Sequence, residues 1–218
     1  MLNREDAIER IEKEKLIAII RGIDGTYAPD LALALAEGGI TVMELTLNQK
    51  KPNGSIEAPM RNIINRLGDR VLVGAGTILT EAQLDMAATA GAMFIVSPNT
   101  DAAVIKKTRE MNLVSIPGAM TPSECAAANA AGADFVKLFP AGNLGPGYLK
   151  ALCAPLNHIK FLVVGGINEK NLHEYAAAGA LGFGVGGNLV NKEWVQAGDF
   201  QKITDLARAY ADAIKNIY

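Results

Sequence analysis

Short apolar runs alternate with amphipathic stretches along the whole chain. The runs predict strands near Leu16–Arg21, Ile40–Leu47, Val71–Ala75, Met93–Ser97, Leu113–Pro117, Phe135–Phe139, Lys160–Val164 and Gly182–Gly186. Between them the pattern is helical. Thr121-Pro122-Ser123-Glu124 reads as a capping box with proline at the first helical position, and Thr80 with Gln83 as a second box. Thr100 and Asn168 are expected N-caps for the helices after the fourth and seventh strands. A further helix near Arg4–Lys13 precedes the first strand and would cover a barrel floor.

Alanine-rich helical stretches stop at Gly39, Gly91, Gly132 and Gly179, each followed at once by a strand. Glycine there takes the left-handed conformation that closes a helix. The intervals are roughly 40 to 50 residues, about what two βα units occupy when connections are short. Eight βα units without a composition break predict one closed (β/α)8 barrel spanning residues 1–218 as a single domain. An open doubly wound sheet is the alternative, disfavoured because no G-x-G-x-x-G follows the first strand.

In such a barrel the strands are covered on both faces, so a charge within one is informative. Lys137 sits at the centre of A-D-F-V-K-L-F-P-A, Glu44 within T-V-M-E-L-T-L, and Arg21 ends the first strand, while Thr77 follows the third in V-G-A-G-T. All four fall toward the C-terminal side of the strands, where this fold builds its sites. Each has a plain structural reading: Lys137 and Glu44 as a buried pair, Arg21 as a rim ion-pair partner, Thr77 as an ordinary strand neighbour. Their conjunction favours chemistry. Desolvation lowers a buried lysine's pKa, and the neutral amine attacks carbonyls to form a Schiff base that makes the adjacent C–C bond cleavable. Glu44 would move protons, and Arg21 suits a carboxylate. Gly165-Gly166 after the seventh strand and Gly186-Gly187-Asn188 after the eighth lie where barrels of this kind bind phosphate; tight turns are the other reading.

The balance of the 218-residue chain narrows the partners. Half of its residues are hydrophobic and its formal charge is −2, which leaves no basic footprint for nucleic acid or an anionic membrane surface. The N-terminus lacks the apolar core of a secretory signal, and no apolar run is long enough to span a bilayer. Cys125 and Cys153 form no C-x-x-C pair, and His158 and His173 are isolated, so zinc and disulfide scaffolds have little to build on. A reducing cytoplasm, small-molecule substrates and self-association are the expectations.

These motifs resemble the 2-keto-3-deoxy-6-phosphogluconate and 4-hydroxy-2-oxoglutarate aldolases and their relatives acting on 2-keto-3-deoxy-6-phosphogalactonate, from about Leu16 to about Val190. F-V-K-L-F-P-A looks like the family's Schiff-base motif, V-M-E-L-T-L its acid/base segment, I-A-I-I-R its pyruvate-pocket arginine, and V-G-A-G-T the threonine at the pyruvate carboxylate. The resemblance thus implies Lys137 and Glu44 as catalytic, with Arg21, Thr77, Pro98 of V-S-P-N, Phe139, Gly165, Gly166, Gly186, Gly187 and Asn188 binding substrate. It implies a pyruvate-forming class I aldolase without metal or organic cofactor, and a homotrimer.

The chain departs from the phosphogluconate pattern. Asn48 stands where an arginine is usual, Q-K-K-P-N-G lengthens the following loop, Val164 replaces a threonine and Asn188 a serine. L-N, S-P-N and G-P-G-Y-L-K-A-L are closer to the phosphogalactonate branch. Lys50 or Lys51 is either an anion-reaching loop residue or a solvated surface lysine. Two other functions remain open on the residues alone: an isomerase or epimerase using Glu44 and Lys137 as acid and base, and a non-enzymatic phosphosugar-binding protein.

Overall fold

The computed structural model describes residues 2–51 and 55–218. Its strands are β1 (Leu16–Ile20), β2 (Val42–Thr46), β3 (Leu72–Gly76), β4 (Phe94–Val96), β5 (Val114–Ile116), β6 (Gly118–Ala119), β7 (Val136–Leu138), β8 (Phe161–Val164) and β9 (Gly182–Val185). They are parallel and ordered β5-β4-β3-β2-β1-β9-β8-β7-β6. The two ends of that order are neighbours in the chain, separated only by Pro117. Carbonyls of this split strand accept from the next: Asp134 N–H donates to Ser115 O at 3.0 Å and Lys137 N–H to Pro117 O at 2.9 Å. The sheet is therefore a (β/α)8 barrel, as expected, with its fifth strand broken into β5 and β6.

The break corrects the expected strand Leu113–Pro117. Proline has no N–H for the ladder, so pairing stops there and resumes at Gly118, which lies opposite Lys137. Gly118 is also the point of closest approach to the neighbouring strand end. A Cβ there would lie 2.4 Å from the Pro98 carbonyl carbon.

Period-2 alternation sorts the side chains into two layers. Leu16, Ala18, Met43, Leu45, Val136, Leu138, Phe161 and Val163 face outward into the core shared with the helices. Ile17, Val42, Leu72, Phe94, Val114, Phe135 and Leu162 fill the lower barrel interior. The helix Arg4–Glu14 closes that end, pressing Ala7 and Ile11 onto the inner layer. It is fastened by charge: Arg4 pairs with Asp134, Lys160 with Glu12 at 2.5 Å, and Arg10 Nη1 donates to Asp69 O at 2.9 Å.

The four glycines expected to stop helices all have positive φ, +92° at Gly39, +102° at Gly91, +103° at Gly132 and +110° at Gly179. The Thr121–Glu124 box forms in both directions, at 3.3 and 2.7 Å. At Thr80 only half of the box forms, since Gln83 Oε1 accepts from Leu79 N–H instead. Thr100 is not an N-cap. Its hydroxyl donates to Gly118 O at 2.8 Å, and Asp101 caps the helix Ala102–Glu110. Asn168 does not cap a helix either: it closes a turn onto Lys170 N–H, and the helix starts at Leu172. No helix among the described residues is long and apolar enough to cross a membrane.

Candidate active site

The alternation that points Ile17 inward also points Glu44 and Lys137 inward, because Glu44 lies two residues beyond Val42 and Lys137 two beyond Phe135. Both are buried, Glu44 at 3 % and Lys137 at 7 % exposure. Burial holds the Lys137 pKa below the ordinary lysine value of 10.5; the Glu44 charge opposes this and the Arg21 charge adds to it. The ammonium also lies over the Phe139 ring, 4.9 Å from its centroid. The result is an amine biased toward its neutral, nucleophilic form next to one acid.

Glu44 owes its position to a glycine. Gly76 on the adjacent strand is where a Cβ would come within 1.7 Å of Glu44 Oε1 and 2.3 Å of its carboxyl carbon. Thr46 Oγ1 donates to the same oxygen at 3.1 Å. The companion glycine of V-G-A-G, Gly74, makes room for the Phe94 ring, 2.3 Å from a Cβ there. Gly76 and Thr46 were not singled out in the sequence. The signal was the alternation of glycine at 74 and 76 on the strand that pairs with Glu44.

Arg21, at the end of β1, lines three adjoining cavities at the barrel mouth. One, of about 340 Å³, brings it together with Phe139, Gly165, Gly166, Gly186, Gly187 and Asn188. Another, of about 410 Å³, brings it together with Thr77, Asn48, Gln49, Lys50 and Lys192. Thr77 is held at φ +60°, the left-handed region that a β-branched residue rarely occupies. A short relay braces it: Gln49 Nε2 donates to Thr77 O at 2.6 Å, and Gln83 Nε2 donates to Gln49 Oε1 at 2.9 Å. Pro98 stands apart, lining neither cavity and packing on Gly118. Of the longer loop, residues 52–54 lie outside the described residues.

The glycine turns differ from expectation in one respect. Neither turn runs directly into a helix, since the next helices start at Leu172 and Lys192; single hydrogen-bonded turns follow instead, with Leu172 N–H donating to Asn168 O at 3.3 Å and Val190 N–H to Gly186 O at 2.8 Å. Gly165 and Gly166 have φ of +91° and +79°, and Gly142 N–H donates to Gly165 O at 2.7 Å. The turn is tied to its neighbour by Asn188, whose Nδ2 donates to Ile167 O at 2.8 Å, and internally by Asn171 Nδ2 donating to Gly166 O at 2.9 Å. A side chain at Gly187 would meet nothing within 4 Å.

Fold and site together define a barrel enzyme whose buried charged groups, among the described residues, are one amine and one acid beneath a glycine-rimmed mouth. The model of the KDPG and KHG aldolase family matches residues 7–206, and the chain belongs to that family. It is a class I aldolase, a lyase acting on carbon–carbon bonds, and the isomerase and binding-protein alternatives give way to it. A Rhizobium meliloti protein described as a probable 2-dehydro-3-deoxy-6-phosphogalactonate aldolase is 40% identical over 200 residues, covering 91% of this chain and 92% of its own. The 2-dehydro-3-deoxy-6-phosphogalactonate aldolase of Escherichia coli is 36% identical, over 93% and 98% of the two chains. The crystal structure of KDPG aldolase from Legionella pneumophila, with pyruvate captured as a covalent carbinolamine, superposes with a TM-score of 0.84 at 29% identity, covering 96% and 98%.

Proposed function

We propose that the protein reversibly cleaves a 2-keto-3-deoxy-6-phospho sugar acid, of the phosphogluconate or phosphogalactonate type, to pyruvate and glyceraldehyde 3-phosphate. 4-Hydroxy-2-oxoglutarate, which has the same 2-keto-4-hydroxy core, is a further candidate substrate. The observation that carries the reading is the inward, buried Lys137 with its pKa held down beside Glu44. Lys137 gives its ammonium proton to Glu44 and adds to C2 as the free amine; a second proton moves from nitrogen to the carbinolamine oxygen, and Glu44 returns the first so that the hydroxyl leaves as water. Glu44, again a carboxylate, takes the C4 hydroxyl proton as the C3–C4 electron pair moves into the iminium, giving an enamine and the aldehyde. It returns that proton to C3, and water hydrolyses the new iminium to release pyruvate and the Lys137 ammonium from which the cycle began. Thr77 and Arg21 would hold the keto acid, Phe139 would flank C2, and the turns at Gly165-Gly166 and Gly186-Gly187-Asn188 would receive the phosphate. Pro98 would act only by shaping the strand end against Gly118.

Borohydride reduction in the presence of pyruvate tests this directly. A reduced pyruvate adduct on Lys137 is expected by peptide mass mapping, and Lys137→Ala should lose both adduct and cleavage while remaining folded. An intact enzyme that turns over without forming the adduct would overturn the covalent route. We further infer a single-domain chain that assembles as a cytoplasmic homotrimer, which sedimentation would check as three times the 23.0 kDa chain mass.

A further inference from the structure

The mouth carries more positive charge than the site described so far uses. The cavity of about 410 Å³ that holds Thr77 is lined by Arg21, Lys50 and Lys192, with no carboxylate among its lining residues. Lys192 also lines the adjoining outer cavity, together with Arg21, Gly187 and one carboxylate, Glu193. Its placement is not that of a side chain free in solvent. Lys192 follows the N-cap Asn191, whose Oδ1 accepts from Glu193 and Trp194 N–H at 2.9 and 3.2 Å, so the stem leaves from a fixed helix start. The side chain then reaches across to the end of β1, where its Nζ lies 2.9 Å from the position a Cβ on Gly22 would take. Gly22, at φ +63°, leaves the space that brings this ammonium beside Arg21. Among the described residues no carboxylate lies within 4.0 Å of it. Across these two cavities Arg21, Lys50 and Lys192 outnumber the one lining carboxylate, Glu193, and a bound anion relieves the excess positive charge.

We propose that Lys192 is a specificity-determining residue that, beside the turn at Gly187, holds the terminal anionic group of the aldehyde portion of the substrate. The inference rests on the aldolase reading and adds a residue to it. Depth decides which end of the substrate Lys192 meets. The keto-acid carbons lie next to the Lys137 amine, which is 7 % exposed, whereas Lys192 is exposed at the rim. Only the far end of the sugar chain extends from the first to the second. A phosphate there carries up to two charges and is shared between the Gly187 turn and the Lys192 point charge, while Arg21 stays with the keto acid.

The test uses the aldol direction, with pyruvate and either glyceraldehyde 3-phosphate or unphosphorylated glyceraldehyde. In Lys192→Ala the ratio of kcat/KM for the phosphorylated over the unphosphorylated aldehyde should fall about fivefold, the size of a lost, partly screened charge contact. Lys192→Arg should restore most of it. Lys202→Ala, which removes an exposed cation paired with Asp199 elsewhere on the surface, controls for net charge and should leave the ratio unmoved. A ratio unchanged in Lys192→Ala, or one that falls equally in Lys202→Ala, overturns the proposal. The borohydride adduct separates the two failures: an adduct with an unmoved ratio sinks the Lys192 role alone, whereas no adduct in the wild type sinks the aldolase mechanism beneath it.

Discussion

Replacing Gly76 by alanine puts the proposed role of Glu44 under direct strain. The added methyl would lie 1.7 Å from Glu44 Oε1, and contacts closer than 3.0 Å do not persist. The β3 backbone is locked in a ladder with β2 on one side and β4 on the other, so the carboxylate is what yields, by about 1 Å or more. A misplacement of that size costs on the order of 10²-fold in rate, and losing the acid/base group outright costs up to about 10⁴. We therefore expect kcat for cleavage to fall between about 10² and 10⁴-fold, read by coupling pyruvate release to lactate dehydrogenase. Overpacking should also cost about 1–3 kcal/mol of stability. Gly74→Ala supplies the comparison: although Gly74 pairs with Glu44 in the ladder, its methyl would meet the buried Phe94 ring at 2.3 Å, with no Glu44 atom among its three nearest neighbours, and so carries a packing cost without striking the carboxylate. It should lower the thermal midpoint while turnover below that midpoint stays near wild type. A folded Gly76→Ala enzyme within about threefold of wild-type kcat would refute the reasoning, as would equal activity losses in both variants.

Two further predictions concern the amine and the proposed pyruvate pocket. The folded-state pKa of Lys137 lies below its unfolded value of 10.5, so between the two the unfolded chain binds more protons and stability rises with pH. Lys137→Met should therefore be more stable than wild type at pH values below the folded pKa, with the difference shrinking as pH rises and vanishing above 10.5; urea titrations showing a pH-independent difference would contradict this. Gln49→Ala removes the 2.6 Å bond that braces Thr77 O and should raise KM for pyruvate by about 2- to 12-fold in aldol-direction kinetics, the equivalent of one hydrogen bond. An unaltered KM for pyruvate would show that Thr77 keeps its left-handed backbone without help.

Much of the barrel could be read from the chain because both of its periodicities are local. Alternation alone is enough to send Glu44 and Lys137 into the same interior as Val42 and Phe135. What stayed hidden depends on partners distant in sequence. Thr100 carries a good capping side chain, yet Gly118 O on the neighbouring strand competes for its hydroxyl, and Asp101 takes over the cap. The fifth strand reads as a run ending at Pro117, and its resumption at Gly118-Ala119 shows only once β7 is in place to pair with it. Lys192 lies far from Gly22 in sequence, so nothing local marks its reach. Thr77 was legible as a residue near the site, but its strained backbone and the glutamine relay that holds it were not.

The Arg4–Glu14 helix sits at the end of the barrel opposite the amine. It seals Ile17, Leu72 and Phe135 from water with Ala7 and Ile11, and Asp134 grips Arg4, Arg109 at 2.6 Å and Ser115 N–H at 2.9 Å. Cohesion is concentrated at one pole and reactivity at the other. Segments around the mouth, including those bearing Asn48, Asn188 and Lys192, are thereby released from the task of keeping the chain folded. A lineage, or a protein engineer, is free to rewrite them and retune which sugar is accepted while the carbon-bond chemistry beneath is inherited intact.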